Sequence, residues 1–178
     1  MDPMRMLVVY YSRTGTTGTV ARTLRDELGC EVEQIAERKE RRGVLGYLRA
    51  GFDATFHRAA ELRPMSTDPK DYDLVIVGTP IWNASVSAPV RAYLAANRER
   101  IPRVAFFCTH GGSGSARVLH QMEEICGQKP VSALVLRTDE VRRGSLAPKV
   151  RIFASTLTSA PTPAKPTWGG APLHPVPT

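Results

Sequence analysis

The chain has 178 residues, 42% hydrophobic and 7% aromatic, which supports one domain with a full core and excludes a disordered chain. It carries a net charge of +7 and a pI of about 9.7, with +6 of that charge in two segments, 37–63 and 137–151. No apolar run approaches the ~20 residues of a membrane span, and neither a secretory signal nor a disulfide or zinc framework fits Cys30, Cys108 and Cys126, which are odd in number and lack C-x-x-C spacing. A soluble, cytoplasmic protein is expected. Neither basic segment interleaves aromatics with its cations as a stacking platform would, so nucleic acid is not an expected partner.

In chain order, Met6–Tyr11 is a short β-rich run suited to a strand covered on both faces. Val20, Leu24 and Leu28 recur at helical spacing, with Gly29 placed to end that helix. Cys30–Ala36 alternates like a second strand, and Leu74–Val77 reads as a buried third strand stopped by Gly78. Between them, Leu45, Leu48, Phe52 and Phe56 predict an amphipathic helix that packs on the sheet or offers a partner surface. Ser87-Ala88-Pro89 opens a helix with Val90, Tyr93 and Leu94 inside. Val104–Cys108 is a fourth strand, followed by a helix carrying Val118, Leu119, Met122 and Ile125 and closed by Gly127. Val131–Leu136 is the fifth strand, and Leu146, Val150, Phe153 and Leu157 mark a last helix. Residues 159–178 hold six of the fourteen prolines, no acidic residue and no periodicity, as expected of a disordered, linker-like tail.

Strands alternating with helices predict a parallel sheet with right-handed crossovers and helices on both faces. In such sheets ligands bind beyond the carboxyl ends of the strands. The loop after strand one, Ser12-Arg13-Thr14-Gly15-Thr16-Thr17-Gly18, places hydroxyls and glycines before a helix N-terminus. It can hold a dianionic phosphate without a lysine, although it matches neither the P-loop nor the G-x-G-x-x-G pattern; a capped βα turn is the plain alternative. After strand three, Gly78–Ser87 carries Trp82, a flat face for stacking or a cap on the core. After strand four, Thr109-His110-Gly111-Gly112-Ser113-Gly114 either brings backbone amides close to a ligand edge or is simply flexible.

Val8 to Leu24 closely resembles the flavodoxin fingerprint: an apolar strand ending in an aromatic, then Ser or Thr, Gly, Thr, Ala and an aliphatic at fixed steps. Thr79-Pro80-Ile81-Trp82 and Thr109–Gly114 resemble the two flavin-ring loops of flavodoxin-like proteins, and the latter is similar to the glycine-rich loop of their quinone reductases. The resemblance spans residues 6–157 in the order of its elements. It implies a flavodoxin-like α/β three-layer sandwich, a five-stranded parallel sheet of order 2-1-3-4-5, with residues 1–158 as an FMN-binding domain and 159–178 outside it. Ser12, Arg13, Thr14, Gly15, Thr16 and Thr17 would hold the phosphate, Arg13 being a departure from the usual uncharged loop. Pro80, Ile81, Trp82 and Asn83 would line one side of the isoalloxazine. Thr109, His110, Gly111, Gly112 and Gly114 would meet its polar edge through backbone amides.

The basic pI is a second departure, because electron-carrying flavodoxins are typically strongly acidic. Three functions follow: an FMN-binding electron carrier between redox protein partners, an NAD(P)H:quinone oxidoreductase using FMN, or an interaction module without flavin. The carrier is the leading expectation, and the oligomeric state, monomer or dimer, stays open. No residue is assigned to direct catalysis. Cys108 lacks the arginine six positions later that a phosphatase loop needs, so it reads as a small buried residue. His57, His120 and His174 share no ligand spacing, so no metal is expected.

Overall fold

The computed structural model describes residues 4–38 and 60–159. The predicted helix around Leu45–Phe56 and the proline-rich tail beyond Ser159 lie outside the described residues. Five parallel strands, β1 (Met6–Tyr10), β2 (Glu31–Gln34), β3 (Leu74–Trp82), β5 (Val104–His110) and β6 (Ala133–Arg137), form the sheet. A two-residue strand, β4 (Ser85–Val86), turns back antiparallel on the end of β3. Across the sheet the order is β2-β1-β3-β5-β6. Counting the parallel strands alone, this is the expected 2-1-3-4-5.

Alternation along the strands sorts the core into two layers. Val8, Ile76 and Phe107 face one side, where α1 (Thr16–Leu28) and α5 (Ala147–Ser159) bury Val20, Leu24, Val150, Phe153 and Leu157. Val9, Val77 and Phe106 face the other, against Val90 and Leu94 of α2 (Ala88–Asn97) and Val118 and Met122 of α3 (Ser115–Cys126). Gly29 and Gly127 end α1 and α3 in the left-handed conformation that glycine adopts at least cost, at φ 60° and 73°.

β3 and β5 run on past their expected ends, and both extensions shape the site. Gly78 does not stop β3, which continues through Thr79, Pro80 and Ile81 to Trp82. Gly78 pairs with Phe107, and a Cβ on it would lie 2.0 Å from Phe107 Cζ, so the glycine makes room for a buried ring. Beyond Gly78 the β1 side of β3 is no longer paired, where a proline is tolerated. β5 likewise runs past Cys108 to His110, because β6 pairs with it as far as Arg137. A short helix, α4 (Thr138–Arg142), follows β6 and was not expected from periodicity. Its five residues are too few to show one.

Candidate flavin site

The three loops converge at the carboxyl edge of the sheet. The first ends in Gly15, which takes up φ 89° at the N-cap of α1 and supplies no side-chain cap. Thr19 N is the first helical donor to find its acceptor, Gly15 O at 2.8 Å, so the amides of the preceding turn have none within the helix. Ser12 Oγ is buried beside this turn without a hydrogen-bond partner among the described residues; a Cβ on Gly18 would sit 3.6 Å from it. Uncapped amides, the positive end of the helix dipole and an orphaned hydroxyl together form an anion cradle. Thr14 and Thr16 bring their hydroxyls within 3.5 Å of each other at its mouth. Thr17 also has a buried hydroxyl, hydrogen-bonded to Thr109 at 2.8 Å, which ties this loop to β5.

The second loop is a hairpin. Asn83 and Ala84, at φ 49° and 51°, make the two-residue turn between β3 and β4. Asparagine tolerates the left-handed region, whereas alanine there carries strain of roughly 1–2 kcal/mol. The returning strand is held by Thr79, whose buried Oγ1 accepts from Ser87 N at 3.2 Å and donates to Ser87 Oγ at 3.0 Å. Trp82 is 41% exposed and stands edge to face with the Tyr11 ring, centroid to centroid 6.0 Å at 87°. It therefore does not cap the core, and its exposed surface lies at the rim of the cleft. Burial, with Glu37 adding to it, pushes the Tyr11 phenol above its ordinary pKa.

In the third loop, Gly114 caps α3 at φ 95°, and a Cβ on it would come within 2.9 Å of Ala84 Cβ. The second and third loops therefore pack on each other at a place only a glycine fits. His110, at the end of β5, has a buried Nδ1 without a hydrogen-bond partner among the described residues. Cys108 is fully buried and its thiol is pushed up to about 12 by that burial, which removes it as a nucleophile.

A cleft of about 160 Å³ opens between the loops. It gathers Arg13, Thr14, Thr16 and Thr17 from the first, Pro80, Ile81 and Trp82 from the second, and Thr109, His110 and Gly111 from the third. Ser12 and Gly15 stand behind it at the α1 terminus, Asn83 is in the hairpin turn, Gly112 is exposed, and Gly114 is at the Ala84 contact. These five do not line the cleft. Thr138, at the start of α4, does line it and was missed. The strand-end rule that led to the other loops applies equally to the end of β6 and would have found it. Among the described residues, no helix is long and apolar enough to cross a membrane.

Uncapped helix amides behind the cleft, an exposed indole at its rim and Gly111 in its lining suit a flavin mononucleotide. No curated protein matches the chain. Among solved structures, a flavoprotein in complex with FMN from Lactobacillus acidophilus NCFM is 21% identical, covering 80% of this chain and 99% of that one, at a TM-score of 0.60. Two-electron reduced flavodoxin from Megasphaera elsdenii is 15% identical, covering 87% and 99% at 0.57. A flavodoxin, WrbA-like protein from Agrobacterium tumefaciens is 14% identical, covering 88% and 96% at 0.57. At such identities the likeness establishes the fold, which is flavodoxin-like. The model of the family described as NADPH-dependent FMN reductase matches residues 4–145, and the chain therefore belongs to that flavodoxin-like, FMN-binding family.

Proposed function

We propose that residues 1–158 form one FMN-binding domain acting as an NAD(P)H-dependent oxidoreductase, with 159–178 as a tail outside it. The observation that carries this reading is charge: Arg13 lines the cleft, and the chain as a whole is at +7. A polyanionic nicotinamide nucleotide is drawn to such a field, whereas a carrier in this form would need acidic protein partners. Family membership points the same way. In this reading the open amides of α1 and Ser12 Oγ hold the phosphate, and the exposed surface of Trp82 packs on the ring. The Gly111–Gly112 backbone comes close to the ring's polar edge. When bound, FMN supplies the redox chemistry, taking a hydride from the nucleotide and passing electrons to a quinone or similar acceptor.

The test is an anaerobic absorbance trace of FMN-reconstituted, desalted protein mixed with NADPH and then NADH. Bleaching of the bound flavin within turnover time, followed by reoxidation with quinone, is the expected result. A flavin that stays oxidised with both nucleotides but is reduced by dithionite would overturn the reductase reading in favour of a carrier between redox proteins.

A further inference from the structure

His110 holds a position that packing does not explain. It ends β5, lines the cleft and pairs in register with Arg137. Three buried side-chain polar atoms lack a hydrogen-bond partner among the described residues. Ser12 Oγ and His110 Nδ1 lie at the ligand edge, and the Tyr93 hydroxyl lies in the core on α2. A buried polar atom without a partner carries its desolvation cost uncompensated, and such atoms cluster where a ligand completes them. Strand alternation separates the two at the cleft. Phe107 and Thr109 turn toward α1, with the Thr109 hydroxyl bonded to Thr17 there, so His110 turns the other way, with Phe106, toward the layer of α2 and α3. Ser12 is thus the orphan of the phosphate cradle, and His110 is on the opposite side, toward the hairpin that carries Trp82.

We infer that the His110 side chain, and not only its backbone, is a positioning group for the flavin ring: Nδ1–H donates a hydrogen bond to the polar edge of the bound isoalloxazine. The inference rests on the FMN reading above. A donor at that edge favours the electron-rich reduced ring over the oxidised one, so His110 sets the reduction potential as well as affinity. No bond is made or broken by His110 in this role.

The test uses the full chain and three variants. His110→Asn keeps a polar group near the Nδ1 position, His110→Gln moves it out to the Nε2 position, and His110→Leu removes it. Dissociation constants for FMN and for riboflavin come from quenching of flavin fluorescence, and the two-electron midpoint potential from equilibration with a reference dye. Leucine and glutamine are expected to weaken both flavins about tenfold and the reduced form about tenfold further, lowering the potential by about 30 mV. Asparagine is expected to stay within threefold of the parent. Glutamine, being polar, keeps the test valid if the leucine variant fails to fold. Unchanged affinities and potential in both substitutions would overturn the inference. So would a loss for FMN but not riboflavin, which would put His110 on the phosphate, or asparagine behaving as leucine does. A parent protein that binds neither flavin would overturn the FMN reading itself, a result distinct from all of these.

Discussion

Gly78→Ala isolates the contact that carries the site-bearing end of β3. The added Cβ would lie 2.0 Å from Phe107 Cζ, 2.3 Å from Cε1 and 2.5 Å from Cε2. All three are far inside contact distance, and the ring cannot retreat to solvent because Phe107 is fully buried. Overpacking a filled core costs about 1–3 kcal/mol, and three simultaneous overlaps put this change near the top of that range. For a chain of this size about 3 kcal/mol lowers Tm by roughly 6–12 °C. Urea unfolding of the parent, Gly78→Ala, Phe107→Leu and the double variant gives the cycle. The singles lose stability, the m-value holds, and the double variant is more stable than the sum of the singles predicts by about 1–2 kcal/mol, because leucine vacates the space the methyl needs. A Gly78→Ala loss below 0.5 kcal/mol, or strict additivity with Phe107→Leu, would refute the reasoning.

Three further outcomes follow from the loops. Ala84→Gly relieves the left-handed strain of the hairpin turn and raises stability by about 0.5–1 kcal/mol in the same urea assay; a loss would show that the alanine methyl is held by packing instead. Thr14→Asp sets a carboxylate at the mouth of the anion cradle, and fluorescence titration should show FMN affinity falling about 100-fold with riboflavin nearly unaffected. An equal loss for both flavins would move the phosphate elsewhere. Burial raises the Cys108 thiol to about 12, so at pH 8 only about one thiol in ten thousand is ionised, and iodoacetamide should modify it only after unfolding. Native-state labelling of Cys108, read by peptide mass, would contradict its burial.

The parts legible in the sequence were those with local signals. The apolar runs of β1, β3 and β5, the helical spacing of α1 and α3, and Gly29 and Gly127 at their ends each announce themselves within a few residues, and alternation of the two types pointed to a parallel sheet, whose strand order came only from the flavodoxin resemblance. The hydroxyl–glycine loop after β1 was legible for the same reason. What escaped depends on partners far along the chain. Gly78 read as a stop because a glycine after an apolar run is normally one, while its actual reason, Phe107, lies on the neighbouring strand. The hairpin at Asn83–Ala84 was hidden because its turn uses alanine where glycine is the usual signal. Thr17 read as a phosphate-loop residue, and the bond of its hydroxyl to Thr109 on β5 is a further contact that local spacing does not show. The orphaned atoms of Ser12 and His110 are properties of burial, which no spacing rule reports.

The most direct test of the account is a titration of FMN into flavin-free protein, followed by the flavin's own fluorescence, in the parent and in Trp82→Ala. Quenching that saturates at one FMN per chain, with affinity clearly weakened in the variant and its Tm little changed, is the predicted result, since Trp82 is exposed at the cleft rim. Fluorescence that does not respond to the protein, or a Trp82→Ala variant that binds as tightly as the parent, would contradict a flavin bound between these three loops.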